Sequence, residues 1–339
     1  MQFSIERIRF ALTCRRLTLL VLTIGGILPF SMAASRLPTL KLNSNHRLAE
    51  LDFPGNDSLP RNRLIWVSAA NLAAFSGSLL LLNEAWYKDQ DRSSFHFFND
   101  SREWLQVDKT GHAWSAYTAS RATSAMWRWA GLSNKKAALA GSVTSFVYMT
   151  GIEVLDAYAE KWGWSWADMA ANGFGTGLHL FQELAWSEQR IQFKFSFHRN
   201  NYADAELHAR ANDLYGSGFS ERMLKDYNAQ TYWLSVNIRS FFPESKWPSW
   251  LNMAAGYGAE GMFGGFENSW TNTQGVSFDR RDIPRRRQFY LAPDIDLTRI
   301  KTRSRFLKTT FWILNSFKVP APTLMLDNKG KLRLYPLYF

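Results

Sequence analysis

At residue 188 the hydrophobic period of this 339-residue sequence changes, and no other feature constrains the fold as much. Upstream, apolar residues fill long stretches with few charges. Downstream, Ile191, Phe193, Phe195 and Phe197 alternate with Gln192, Lys194, Ser196 and His198, and Tyr232, Leu234, Val236 and Ile238 alternate in the same way. Period-two alternation marks strands with one apolar and one polar face, whereas the upstream stretches have helical length. The chain is therefore expected to be α+β: a Trp-rich bundle of about four helices over 62–187, then a β-rich half with inserted helices over 188–339.

Within the first half, Leu64–Leu82 is 19 residues without a charge, long enough for a membrane span or a core helix, although Asn71 and two serines interrupt it. Further helices are predicted from just after Asp108 to Trp129, from about Lys135 to Lys161, and from about Trp166 to Trp186 with Ser165 as N-cap. Their short connections favour antiparallel neighbours. Weaker strands are predicted over Trp250–Tyr257, Arg287–Leu297, Thr323–Leu326 and Leu332–Tyr335, with helices near 203–226 and 301–317. Pro336 argues against extending the last strand. A small outer-membrane β-barrel is the alternative for this half, since a barrel turns its apolar face to lipid. Six candidate strands fall short of the usual eight.

The first residues resemble a signal peptide. Arg7, Arg9, Arg15 and Arg16 precede the apolar run Leu17–Pro29, and Ser31-Met32-Ala33 offers small residues for cleavage after Ala33. A signal peptide over 1–33 and a polar linker over 34–61 are expected. Cys14 is the only cysteine, and Ala11-Leu12-Thr13 before it is a poor lipobox. Cleavage after Ala33 would leave no thiol for disulfides, zinc–thiolate sites or cysteine nucleophiles. Export to the periplasm or outer membrane also makes nucleic acid an unsuitable partner for the 40 Lys+Arg against 29 Asp+Glu, and anionic envelope lipid or polysaccharide a better one.

Polar groups recur where a bland bundle would have none. Asp108 and His112 are four apart; Glu153 and Asp156 follow sixteen uncharged residues; Asp168, Asn172, His179 and Glu183 fall on one helical stripe. Burying carboxylates singly costs several kcal/mol, so these groups must pair with one another, with Lys109, with water or with a metal. Asp108, His112, Glu153, Asp156, Asp168 and Asn172 are expected to converge, as an acid/base centre or, through His112, Glu153, Asp156 and Asp168, as a divalent-metal site. A polar network fixing helix register, or exposed helix ends, would explain the same residues without chemistry. Gly173, Gly175 and Gly177 would let neighbouring backbones approach.

These same residues, Asp108-Lys109-Thr110-Gly111-His112, Tyr117, Glu153, Asp156 and Asp168-x-x-x-Asn172, resemble the YfiM-related family of predicted periplasmic lipoproteins of unknown function. The resemblance includes Asn83–Tyr87, Ser93–Asp100 and Gly163–Trp166, and extends to Arg210–Gly216 and Gly256–Met262, as in the longer Bacteroidetes-type members. The Asp-Lys-x-x-His, Glu and Asp-x-x-x-Asn series is more loosely similar to VanZ-like four-helix membrane proteins. The resemblance implies an envelope compartment and brings no activity; without a usable lipobox it does not carry lipid anchoring.

Ten of the 15 tryptophans lie between Trp66 and Trp186, and Trp162, Trp164 and Trp166 form a triplet suited to a membrane–water interface. Residues 279–308 hold ten bases and four acids, read as a solvated face with local salt bridges or as a headgroup contact. His96 lies among Asp89, Asp91 and Asp100 and is expected to be structural. No Walker A, G-x-G-x-x-G, H-E-x-x-H or G-x-S-x-G pattern is present. The reading that follows is a membrane-associated envelope component of unknown activity, with a metal- or acid/base-dependent hydrolase of an envelope lipid or glycan as the alternative.

Overall fold

The computed structural model describes residues 60–83, 87, 91–202, 204–272 and 274–338. The expected signal peptide lies outside them, as does the expected linker apart from residues 60 and 61. Four long helices open the described chain: α1 Arg61–Leu82, α2 Val107–Trp129, α3 Asn134–Ala157 and α4 Trp166–Ala185. A six-stranded sheet follows, made of β1 Ile191–Phe197, β2 Gln230–Val236, β3 Leu251–Glu260, β6 Arg286–Ile295, β7 Ala321–Asp327 and β8 Leu332–Tyr338. A separate hairpin, β4 Ser269–Thr271 with β5 Ser277–Asp279, had no sequence signal. Helices α5 Ala205–Tyr215, α6 Phe219–Lys225, α7 Ile238–Phe241 and α8 Arg305–Leu314 interrupt the strands.

Short links make α2, α3 and α4 an antiparallel trio. Gly175 is what lets α4 close on α2: a Cβ there would lie 2.0 Å from the Ala113 carbonyl oxygen. Gly177 meets nothing within 4 Å, and Gly173 only the Phe146 ring at 4.0 Å, so of the three glycines one makes the close approach. Helix α3 stops at Ala157, four residues before the expected end. The segment after it pairs instead with the loop before α2, through bridges Arg92–Ala159 and Phe97–Trp164. Helix α1 lies along α3, with Ser78 Oγ donating to Tyr148 Oη at 2.9 Å and Phe75 stacked on the Tyr148 ring.

The sheet is antiparallel throughout in the order β1-β2-β3-β6-β7-β8, and among the described residues it forms no closed barrel. β8 runs through Pro336 to Tyr338, against expectation. Its register with β7 shifts between Ala321 and Thr323, and the edge position spares a ladder hydrogen bond that proline cannot make. Val107, Ala113 and Tyr117 of α2 share one core with Phe193 and Phe195 of β1 and Tyr232 of β2, so the bundle packs on the sheet across the change of period. The alternating polar residues do not face water. Gln192, Lys194 and Ser196 are buried, with Lys194 Nζ 2.7 Å from Asp294 and Gln192 donating to Asp296 at 2.7 Å.

Candidate functional site: a buried acid–imidazole cluster

The cluster forms where the N-termini of α2 and α4 meet the C-terminal end of α3. Just before α2, Trp104, Leu105 and Gln106 adopt left-handed φ values of 49°, 49° and 65°. Each such non-glycine residue costs roughly 1–2 kcal/mol. The turn is held from outside: Trp104 N–H donates to Gly265 O at 2.8 Å, and Arg287 and the Tyr257 hydroxyl both donate to Leu105 O. This bracing sets Asp108, in the first turn of α2, against α4. Ser165 caps α4 by accepting from the Asp168 N–H at 3.0 Å and donates its own hydroxyl to Asp100, tying the preceding loop to the same point.

Lys109 Nζ is the common counter-charge, 2.6 Å from Asp100, 3.0 Å from Asp108 and 2.9 Å from Asp168. His112 stands one turn further along α2. Its Nδ1 lies 3.3 Å from Glu153 Oε1 and 3.3 Å from Asn172 Oδ1, while its Nε2 lies 4.0 Å from both Asp108 Oδ1 and Asp168 Oδ1. Tyr227 donates to Asp108 Oδ1 at 2.8 Å. Asp156 stands apart from the nearest set and accepts from the Tyr87 hydroxyl at 2.7 Å. Glu153 and Asn172 are fully buried, and among the described residues neither Glu153 oxygen nor Asn172 Nδ2 has a hydrogen-bond partner.

Burial penalises the imidazolium of His112, but Asp168, Asp108 and Glu153 outweigh that penalty and push its pKa up to about 9. Burial pushes Asp168 up to about 7; His112 pulls the other way and Asp108 adds to the rise. Burial also opposes ionisation of Asp108, yet His112 and Lys109 hold it below the ordinary carboxylate range. The carboxylates therefore favour a proton on His112, while burial favours one on Asp168. Asp108, His112 and Asp168 each offer a ligand atom, and these atoms lie within 4.8 Å of one another, so they are the residues that could hold a metal. Glu153 stands behind the imidazole, and Asp156 outside that set.

A cleft of about 60 Å³ lined by Asn83, Tyr87, Arg92, Val154 and Tyr158 runs from the surface to Tyr87, the partner of Asp156. Around this end of the helices Phe95, Phe97, Tyr158 and Trp166 are exposed; Phe97 stacks on Trp166, and Phe95 meets Phe97 and Tyr158 edge-on, as Trp166 meets Trp164. His96 Nε2 meets Trp162 O at 2.6 Å, tying its loop to the segment after α3. His179 and Glu183, although on the Asp168 stripe, lie farther along α4 and pair with Ser124 and Arg128. In the basic stretch, Arg280, Arg281, Arg286 and Arg299 form local ion pairs, while Lys301, Arg303, Arg305 and Lys308 are exposed. Sequence reading left Tyr227 out of the cluster and placed Asp100 only beside His96. Tyr227 follows α6 with no motif around it, whereas the Asp100 position could have been found from Ser165, whose capping role was legible.

Fold and site together define a mixed helix-and-sheet protein whose helical bundle encloses an acid–imidazole cluster. Residues 96–183 match a family described as "Predicted periplasmic lipoprotein (DUF2279)". The match runs from the loop before α2 to the end of α4 and contains the whole cluster except Tyr227 and Tyr87. The description agrees with the export expected from the N-terminal sequence. No curated protein and no solved structure matches the chain.

Proposed function

We propose that this chain is an exported envelope protein that works against a membrane, with the outer faces of α1, α3 and α4 turned to lipid. The observation that carries the reading is the outer face of α3. Leu139, Val143, Val147 and Val154 follow one another down it and are 53%, 54%, 64% and 40% exposed, where a water-facing helix would carry polar residues. Ile65, Trp66, Leu72 and Leu80 of α1 and Phe174, Phe181 and Leu184 of α4 are exposed as well. Helices α1 and α3 are also the two among the described residues that are long and apolar enough to cross a membrane.

The two ends of this apolar surface differ in chemistry. Arg61 and Arg63 begin α1, Arg128 ends α2 and Lys135 and Lys136 begin α3, and Arg63 stacks on Trp129, so the bases gather at one end. The exposed aromatics Phe97, Tyr158 and Trp166 gather at the other. Bases suit anionic headgroups, and aromatics suit the water–hydrocarbon boundary. The periplasmic description of the matched family supports export. The likeness to YfiM-related proteins and the looser one to VanZ-like four-helix proteins belong to this proposal, whereas lipid anchoring at Cys14 does not.

Envelope fractionation tests it. The protein should stay with membranes through high salt and alkaline carbonate and leave them in detergent. Val143→Glu with Val147→Glu should move it to the soluble fraction. Release of the wild type by salt alone would sink the reading.

A hydrolytic role on an envelope lipid or glycan is a second reading. It is favoured by His112 and Asp108, whose side chains keep 17% exposure each at the aromatic-rimmed end. A deletion strain should then show an altered lipid or glycan profile that wild type restores and His112→Gln does not.

A further inference from the structure

We infer that Asp108 Oδ1, His112 Nε2 and Asp168 Oδ1 bind one divalent cation of the class that takes mixed carboxylate and imidazole ligands, such as Mn²⁺. This inference does not rest on membrane seating, and the two fail in different experiments.

Three acceptor atoms converge with a gap between them. Nε2 is 4.0 Å from Oδ1 of each aspartate, and one ligand atom from each of the three residues lies within 4.8 Å of the other two. A hydrogen bond from an imidazolium would draw an oxygen to about 2.7–2.9 Å. The observed separation is too long for that on both sides at once. Three atoms so spaced leave room between them for a cation at roughly the 2.3–2.6 Å of calcium–oxygen bonds. A shift of a few tenths of an ångström by each side chain would suit a smaller ion.

The imidazole is oriented for a metal. Two oxygens, Glu153 Oε1 and Asn172 Oδ1, face Nδ1 at 3.3 Å. Asn172 Oδ1, which hydrogen-bonds Nδ1, places the ring proton there and would leave the Nε2 lone pair of a metal-bound ring pointing at Asp108 and Asp168. A carboxylate behind a histidine is the usual support of a metal-bound imidazole. Glu153 suits such a role: it is fully buried, neither oxygen accepts a hydrogen bond from the described residues, and its Oε1 lies 3.3 Å from His112 Nδ1.

Lys109 does not fill the gap. It approaches Asp108 through Oδ2 at 3.0 Å, leaving Oδ1 to the Tyr227 hydroxyl and to the site. It also contacts both oxygens of Asp168, at 2.9 Å and 3.1 Å, and lowers the negative charge beside the proposed ligand atom Oδ1. Asp100 and Glu153 add carboxylates around a centre where, among the described residues, Lys109 and His112 are the bases in contact. Three protein ligands leave further coordination positions for water or a substrate oxygen.

The experiment is a Mn²⁺ titration of the full chain, stripped with chelator and held in detergent, read by calorimetry and by electron paramagnetic resonance. One Mn²⁺ per chain is expected, with ¹⁴N modulation from a directly bound imidazole. His112→Gln should abolish that modulation. Asp168→Asn should weaken binding strongly, and Glu153→Gln by about 10–100-fold. Circular dichroism checks each variant; if one does not fold, the ¹⁴N signal of the wild type decides the matter. Absence of wild-type binding to Mn²⁺, Zn²⁺ and Ca²⁺ up to about 1 mM would overturn the inference, as would Mn²⁺ bound without ¹⁴N modulation or equally well by His112→Gln.

Discussion

His112 Nδ1 lies 3.3 Å from Glu153 Oε1, across the seam between α2 and α3, and among the described residues Glu153 has no hydrogen-bond donor of its own. The pair joins two helices through a charge that can be switched by one proton. In chelator-stripped protein the His112 pKa stands at about 9, above its ordinary 6.5. The folded state therefore holds the proton more tightly than the unfolded chain. The stabilisation is complete below pH 6.5 and is lost as pH rises through about 9. Denaturant titrations across that window should show a loss of at most roughly 3 kcal/mol for this group. His112→Gln should flatten the decline, and an unchanged pH profile in that variant would count against the coupling.

Lys109 answers three carboxylates at once, from Asp100, Asp108 and Asp168. Lys109→Met keeps much of the stem and removes the charge, leaving three buried acids facing one another. Removing one partner of a buried ion pair costs about 3–5 kcal/mol, and a loss of that size is expected at pH 7. Acid should narrow the difference from wild type, because protonating the aspartates removes their mutual repulsion. A gap that stays constant from pH 7 to about pH 5 would show that the lysine acts through packing alone.

His179 behaves in the opposite sense to His112. It is fully buried beside Ser124 Oγ, and burial, with Arg128 and Arg121, lowers its pKa to about 3. The unfolded chain binds a proton below pH 6.5 that the folded protein refuses. Stability from this group is thus present above 6.5 and falls as pH drops toward 3, with a slope approaching about 1.4 kcal/mol per pH unit. Comparing His179→Gln with wild type at several pH values isolates it: the advantage of wild type should shrink steadily with acid.

The helical half and the strands were legible because their periods are strong, and because Ser165 announces the start of α4 as a capping residue. Convergence of Asp108, His112, Glu153, Asp168 and Asn172 was legible for a different reason: charges on apolar helices must find one another. Tyr227 and Tyr87 were not legible, since a tyrosine on a loop or after a short helix carries no spacing that points to a distant carboxylate. The polar residues of β1 misled as well. Alternation predicts two unlike faces without saying which meets water, and Lys194 turned inward to Asp294. Pro336 was read as a stop because its missing N–H matters in a central strand, and β8 is an edge.

The cluster depends on how closely α4 approaches α2, and that distance is set at Gly175. A Cβ there would stand 2.0 Å from the Ala113 carbonyl oxygen and 2.8 Å from its carbon, both backbone atoms that no rotamer change can move. Gly177, two residues on, meets nothing within 4 Å. The two substitutions should therefore have opposite signs. Gly177→Ala gains helix propensity of up to about 1 kcal/mol with no clash. Gly175→Ala has to push the helices apart and should cost more than about 2 kcal/mol. It should also draw Asp168 away from Lys109 and His112, so Mn²⁺ affinity ought to fall in this variant and hold in Gly177→Ala. Equal stability and equal metal affinity in the two variants would mean that helix separation does not govern the site.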